Sequence, residues 1–119
     1  MADTLQELQE LVVRFRDERD WEQFHTPKDL VLGLQVEAAE LAELFLWRAS
    51  EQTAEDFEQA EFRDRLQDEL ADVQTFLLYL AQAAGVDLAA AVRAKLKKNA
   101  AKYPVEKARG SARKYDQLN

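Results

Sequence analysis

The sequence predicts an all-α, four-helix-bundle-like domain, and three observations predict it. Gly occurs 3 times and Pro 2 times in 119 residues, and punctuation that sparse favours long helices with short connections. Apolar residues recur at helical spacing along most of the chain, and no useful stretch alternates strictly between apolar and polar. Hydrophobic residues make up 47% and charged residues 33%, a balance that suits one domain with one core.

The first helix runs from Thr4 to about Arg19, with Leu5, Leu8, Val12 and Phe15 at helical spacing and Asp3 or Thr4 as its cap. Its role is packing, with an ordinary polar outer face. Asp20 to Lys28, DWEQFHTPK, interrupts the pattern and gathers Trp21, Phe24 and the one histidine, His25. Either these aromatics plug an open end of the bundle, or they help form a pocket for a flat ligand such as a base. His25 alone is a poor ligand or catalyst and reads as a cap or packing residue. Thr26-Pro27 opens the second helix, the cap residue followed by Pro at the first position. That helix runs to about Arg48, and Leu30 to Trp47 is its continuous stretch. Gly33 inside it costs roughly 1 kcal/mol relative to Ala; it either admits a close neighbour or is neutral.

Ala49 to Ala60 is polar and acidic, with a short helical turn and a weak capping box of Thr53 and Asp56. The third helix spans about Glu61 to Ala84, and Gly85 stops it. Asp87 caps the fourth, Leu88 to Tyr103, which Pro104 ends. Its stripe starts as core with Leu88, Ala91 and Val92, then continues in register as Lys95, Asn99 and Lys102. Either this end emerges into solvent, or its polar face addresses a site. Val105 to Asn119 has no apolar period; it is a frayed terminus or an ordered arm anchored by Tyr115. The chain thus divides into a helical domain, 1–104, and a C-terminal segment, 105–119.

Two helices break the rule that charge faces out. Leu30, Leu34, Leu41 and Leu44 form a narrow stripe with Glu37 at its centre and Glu40 at its edge. Phe62, Leu66, Val73, Phe76 and Leu80 form another, with Glu69 at its centre and Asp72 at its edge. A buried carboxylate must be neutralised, paired or bound to a metal. Residues three apart share a helix face, so two facing helices can present all four acids to one volume. All-oxygen ligation suits a hard cation, Mg²⁺ or alternatively Mn²⁺. A di-iron bundle would need Glu-x-x-His motifs, and the sequence has none. Mg²⁺ completes its shell with water and substrate phosphates, and Lys95 and Lys102 would offset phosphate charge. The chemistry that follows is hydrolysis at phosphorus by an activated water, with one carboxylate as proton acceptor. The competing reading is a non-catalytic helical oligomer, a scaffold or partner-binding protein, with its core acids paired to Lys or Arg.

Net charge is −7, which argues against binding a nucleic-acid polymer. The basic residues crowd into the last quarter, among them Lys95, Lys97, Lys98, Lys102, Lys107, Arg109, Arg113 and Lys114. Cysteine is absent, so there is no disulfide framework and no thiolate chemistry. The N-terminal segment does not read as a signal peptide, and the apolar run around Phe76 to Ala84 is too short to span a bilayer. The expectation is a soluble cytoplasmic protein with no membrane partner.

The same residues carry a resemblance. E-x-x-E, then E-x-x-D, then K-x-x-x-N-x-x-K-x-Y resembles the MazG-like all-α nucleoside triphosphate pyrophosphohydrolases. ERDWEQFH (Glu18–His25), GLQVEAAELAELFLW (Gly33–Trp47), DELADV (Asp68–Val73) and ARGSARKY (Ala108–Tyr115) look like their dCTP pyrophosphatase branch. The resemblance implies cleavage of a nucleoside triphosphate between the α and β phosphates, with dCTP or base-modified dCTP as substrate and house-cleaning of the nucleotide pool as the role. dUTP or a broader set of triphosphates is the alternative. It implies that Glu37, Glu40, Glu69 and Asp72 hold Mg²⁺, that Trp21 and Trp47 line the base pocket, and that Lys95, Asn99, Lys102 and Tyr103 bind phosphates or sugar. The arm, with Arg109, Lys114 and Tyr115, helps close the site, and His25 and Phe76 are placed with the substrate-binding residues. Phe76 stands where the animal enzymes of this branch are expected to have Tyr, which bears on substrate preference and not on the metal. Homodimers or homotetramers are the implied assembly.

Overall fold

The computed structural model describes residues 4–118, and among these there is no strand. The chain forms two compact units, one ending at Val86 and one beginning at Asp87.

In the first unit α1 (Leu5–Glu18), α2 (Pro27–Glu43) and α4 (Ala60–Ala84) are the long helices, and α3 (Thr53–Asp56) is a single turn. α4 packs along both α2 and α1. The expected starts hold. Thr4 Oγ1 accepts the Glu7 amide at 3.1 Å, and Thr26 Oγ1 accepts the Asp29 amide at 3.2 Å with Pro27 at the first helical position. Asp3, the other candidate cap, lies outside the described residues. Gly85 ends α4 in the left-handed conformation at φ 67°. Leu30, Leu44, Phe62, Leu78, Tyr79 and Ala81 are the buried apolar residues. The Tyr79 hydroxyl donates to the Val12 carbonyl at 3.0 Å, tying α4 to α1.

Four local expectations are corrected. α2 stops at Glu43 rather than near Arg48. Leu44, Phe45 and Leu46 each donate to the carbonyl three residues back at 3.1–3.2 Å, and Trp47 turns left-handed at φ 66°. That tightening lets Phe45 meet Phe57 and Phe62 in an aromatic cluster with ring centres 5.6–6.4 Å apart. Second, the Thr53–Asp56 capping box does not form: Thr53 Oγ1 donates to the Ser50 carbonyl, and Asp56 is buried against Arg48 at 3.0 Å. Third, Phe15, placed in the α1 packing stripe, is 47% exposed, while neighbouring Arg16 is 5% exposed. Fourth, Trp21 and Phe24 do not plug the bundle, because both are exposed.

The second unit holds α5 (Leu88–Lys102), a helical turn α6 (Val105–Ala108) and a 3-10 turn at Tyr115–Gln117. Asp87 caps α5 through the Ala90 amide at 3.0 Å. Val92, read as core, is half exposed, and no α5 residue is fully buried. The C-terminal segment is an ordered arm: Tyr115 meets Tyr103 edge-on at 6.2 Å, with the Lys102 ammonium 4.9 Å from the Tyr115 ring. Among the described residues no single helix is long and apolar enough to cross a membrane.

Gly33 is where α2 admits α4. A Cβ at Gly33 would meet the Phe76 ring, with Cζ at 2.8 Å. Overpacking costs about 1–3 kcal/mol and better helix propensity returns about 1 kcal/mol, so Gly33→Ala should lower the urea midpoint with an unchanged m-value. Phe76→Leu in the same chain should restore it. A Gly33→Ala variant as stable as the parent would show that the close approach is unimportant.

Candidate metal centre and its surroundings

The stripes on α2 and α4 place their acids together because their apolar neighbours leave no other register. Leu30 and Leu44 bracket Glu37 on α2, and Phe62 lies two turns before Glu69 on the same face of α4; all three are buried. Glu37, Glu40 and Glu69 each present a carboxylate oxygen within 4.8 Å of the other two. Glu37 and Glu69 are half buried and Glu40 is exposed. One oxygen of Glu37 and one of Glu69, Oε2 in both, is buried with no hydrogen-bond partner. Among the described residues no Lys or Arg pairs with any of the three. Asp72 stands outside this tight trio and is exposed, yet its charge reaches both Glu37 and Glu69.

Crowded acids resist ionisation together. Burial, then the adjacent Glu40 carboxyl, then the charges of Asp72 and Glu69 push Glu37 up to about 7. Glu69 is raised too, by burial first and then by Glu40 and Asp72. Such a site without a cation holds protons near neutrality. With a divalent cation it would release them, because ligating carboxylates must be ionised. Two buried, unpartnered carboxylate oxygens with a third carboxylate in reach fit a hard, oxygen-seeking cation. They do not fit a salt-bridged structural core.

The other expected site residues fall into three groups. Trp21 follows α1 in a loop and lies edge-on to Phe15 at 5.8 Å, with the Arg19 guanidinium 3.7 Å from the Phe15 ring centre. His25 is half buried and tilted against the Tyr79 ring at 4.9 Å. Burial and then the charge of Arg16 hold it below the ordinary imidazole range, so it is neutral at pH 7, and its Nδ1 is buried without a partner. Phe76 sits between Gly33 and Tyr79, its ring 6.4 Å from that of Tyr79. Trp47, at the far end of α2, is almost wholly exposed. In the second unit Lys102, Tyr103 and Tyr115 come together as described. Asn99 is half buried, and Lys95, Arg109 and Lys114 are exposed.

Arg16 is the residue that periodicity missed. Its guanidinium reaches Asp17 at 2.8–2.9 Å and Gln82 on α4 at 3.2 Å, with Glu22 at 3.7 Å. Its carbonyl accepts the Trp21 amide at 3.1 Å. It therefore fastens the Trp21–His25 loop to α1 and α4. A signal existed in the acidic flanks, Asp17 and Glu22, which can pair with an inward Arg; hydrophobic spacing does not register it.

The raised Glu37 makes metal-free stability depend on pH in a defined direction. The group is near 4.5 when unfolded and about 7 when folded, so the folded state binds more protons between those values. Its contribution is full below about 4.5 and lost as pH rises through about 7. In chelator, the melting temperature should fall across that window, and Glu37→Gln should flatten the fall. Added Mg²⁺ should raise the melting temperature more at pH 8 than at pH 5. A flat metal-free profile would contradict the crowded-carboxylate geometry.

The sequence profile described as the MazG-like family matches residues 32–118. The chain is 45% identical over 115 residues to dCTP pyrophosphatase 1 of Rattus norvegicus, covering 97% of this chain and 68% of that protein. Against dCTP pyrophosphatase 1 of Homo sapiens the identity is 44% with the same coverage. A crystal structure of a pyrophosphatase from Archaeoglobus fulgidus superposes with a TM-score of 0.78 at 37% identity, covering 87% of this chain and 95% of the other. On the strength of this profile match and these identities, the chain belongs to the MazG-like family.

Proposed function

We propose that this protein is a Mg²⁺-dependent nucleoside triphosphate pyrophosphohydrolase that converts dCTP or base-modified dCTP to the monophosphate and pyrophosphate. The observation that carries the proposal is the convergence of Glu37, Glu40 and Glu69 with two buried, unpartnered oxygens, in a chain similar to dCTP pyrophosphatase 1 over nearly its full length.

Glu37, Glu40, Glu69 and Asp72 would hold the cation. When bound, it supplies Lewis acidity toward phosphoryl oxygens and makes water a competent nucleophile at neutral pH. One of these carboxylates, not fully engaged by the cation, would accept the proton of the attacking water. Trp21 and Trp47 flank the base, with His25 and Phe76 completing the base and sugar side. Lys95, Asn99, Lys102 and Tyr103 bind phosphates or sugar, and the arm with Arg109, Lys114 and Tyr115 closes over them. Neutral His25 suits packing against an uncharged base rather than phosphate binding. The scaffold alternative loses its main support, since it requires the core acids to be paired with Lys or Arg.

Self-association into a dimer or tetramer belongs to the same reading. Val31, Leu32 and Val36 on α2 and Leu70 on α4 are large apolar residues left about half exposed, and patches of that kind mark interfaces. The absence of cysteine is consistent with a cytoplasmic setting.

Mg²⁺-dependent release of pyrophosphate from dCTP is the expected activity. Glu37→Gln and Asp72→Asn should each reduce it by about 100-fold or more, beyond the range seen for residues that only support a ligand, with the helical content retained. A panel of natural and 5-substituted triphosphates with product identification would separate α–β cleavage from stepwise phosphate loss. If no triphosphate is cleaved with either Mg²⁺ or Mn²⁺, the enzymatic reading is wrong.

A further inference from the structure

Trp47 combines two features that need an outside cause. Its backbone is left-handed at φ 66°, a region that a bulky L-residue occupies only where its surroundings enforce it. Its side chain is 93% exposed, so its own packing enforces nothing. The enforcement comes from the next residue. The Arg48 amide donates to the Phe45 carbonyl at 3.1 Å, and Arg48 Nε donates to the Leu44 carbonyl at 2.8 Å. Arg48 Nη1 meets Asp56 Oδ2 at 3.0 Å, and the guanidinium lies 4.5 Å from the centre of the Phe62 ring.

Asp56 completes the device. It is a buried carboxylate, 8% exposed, on the single turn of α3, and no second cation pairs with it among the described residues. Burying a charge is unfavourable unless it is offset, and the Arg48 guanidinium 3.0 Å away is the charge that offsets Asp56, although Asp56 Oδ2 makes no hydrogen bond. Arg48 thereby stitches together the end of α2, α3 and the start of α4, and the chain must turn sharply at Trp47 to let it.

We propose that Arg48 and Asp56 are positioning residues that hold Trp47 in its left-handed, outward posture as a preset wall for the nucleotide base. The proposal rests on the reading of Trp47 as a base-contacting residue. It adds that the wall is fixed before substrate arrives, by an ion pair that itself touches neither cation nor substrate. Preorganisation of that kind lowers the ordering cost of binding, so its loss should appear in substrate affinity and base choice rather than in the chemical step.

The test compares Arg48→Met, Asp56→Asn, Arg48→Lys and Trp47→Ala, assayed with triphosphates of different bases in saturating Mg²⁺. Arg48→Met and Asp56→Asn should raise KM for the preferred base about tenfold and narrow base preference, with kcat changed less than about twofold. Arg48→Lys, which keeps the ion pair, should stay within about threefold of the parent. In a Trp21→Phe background, the fluorescence anisotropy of Trp47 should drop in Arg48→Met and Asp56→Asn without substrate present. The positioning role is overturned if Trp47→Ala alters base preference while folded Arg48→Met and Asp56→Asn do not. Unchanged base preference in Trp47→Ala itself overturns the base-wall reading, a separate result. Loss of folding in both Arg48→Met and Asp56→Asn also overturns the proposal, since the pair would then serve the fold and not Trp47.

Discussion

The carboxylate oxygens of Glu37 and Glu69, buried between α2 and α4 without a partner, are the constraint on which the rest of this structure depends. Each acid is held in place by the apolar residues above and below it on its own helix, and those residues are held by burial. The helices cannot rotate the acids outward without exposing Leu30, Leu44 and Phe62. Hydrophobic burial at roughly 25 cal/mol per Å² thus maintains an electrostatic arrangement that is unfavourable by itself. The raised Glu37 and Glu69 record that conflict. A divalent cation would resolve it, because it would favour the ionised form that burial and mutual repulsion oppose.

Around this seam, two arginines shape the segments that the helices leave unfinished. Arg16 draws the loop after α1 toward α4 through Gln82 and Glu22. Arg48 draws the chain after α2 toward α3 through Asp56. Each is adjacent, in sequence or through a backbone hydrogen bond, to one of the two tryptophans. The guanidinium fork suits this task, since it bonds in several directions from one planar group. Both aromatic segments are thus also tied by ion pairs of Arg16 and Arg48, while Trp21, Phe24 and Trp47 themselves stay exposed.

Much of the fold was legible in the order of residues. Helical spacing located the four long helices, Thr4, Thr26-Pro27, Asp87 and Gly85 marked their ends, and the acids at the centre of two apolar stripes located the carboxylate cluster. These are local signals, set by 3.6-residue periodicity and by the chemistry of capping. Legibility failed where a side chain finds its partner far along the chain. Arg16 looked like the polar side of an amphipathic helix because Gln82 is 66 residues away. The capping box of Thr53 and Asp56 looked local, but Asp56 has a stronger claim from Arg48. The end of α2 was misplaced because Leu44, Phe45 and Leu46 are good helix residues, and only the aromatic cluster with Phe57 and Phe62 makes a tighter turn preferable.

The sequence by itself thus determined the all-helical class, the helix starts and the inward face that each acid shares with its apolar neighbours, because propensity and periodicity act within a few residues. Tertiary structure alone decided three things. Glu37, Glu40 and Glu69 close to within 4.8 Å while Asp72 stands apart. Phe76 is the group that Gly33 admits. Trp47 leaves its helix in a left-handed turn. Each depends on how α2 and α4 seat against each other and on which distant charge meets which, and neither is encoded in the spacing along one helix.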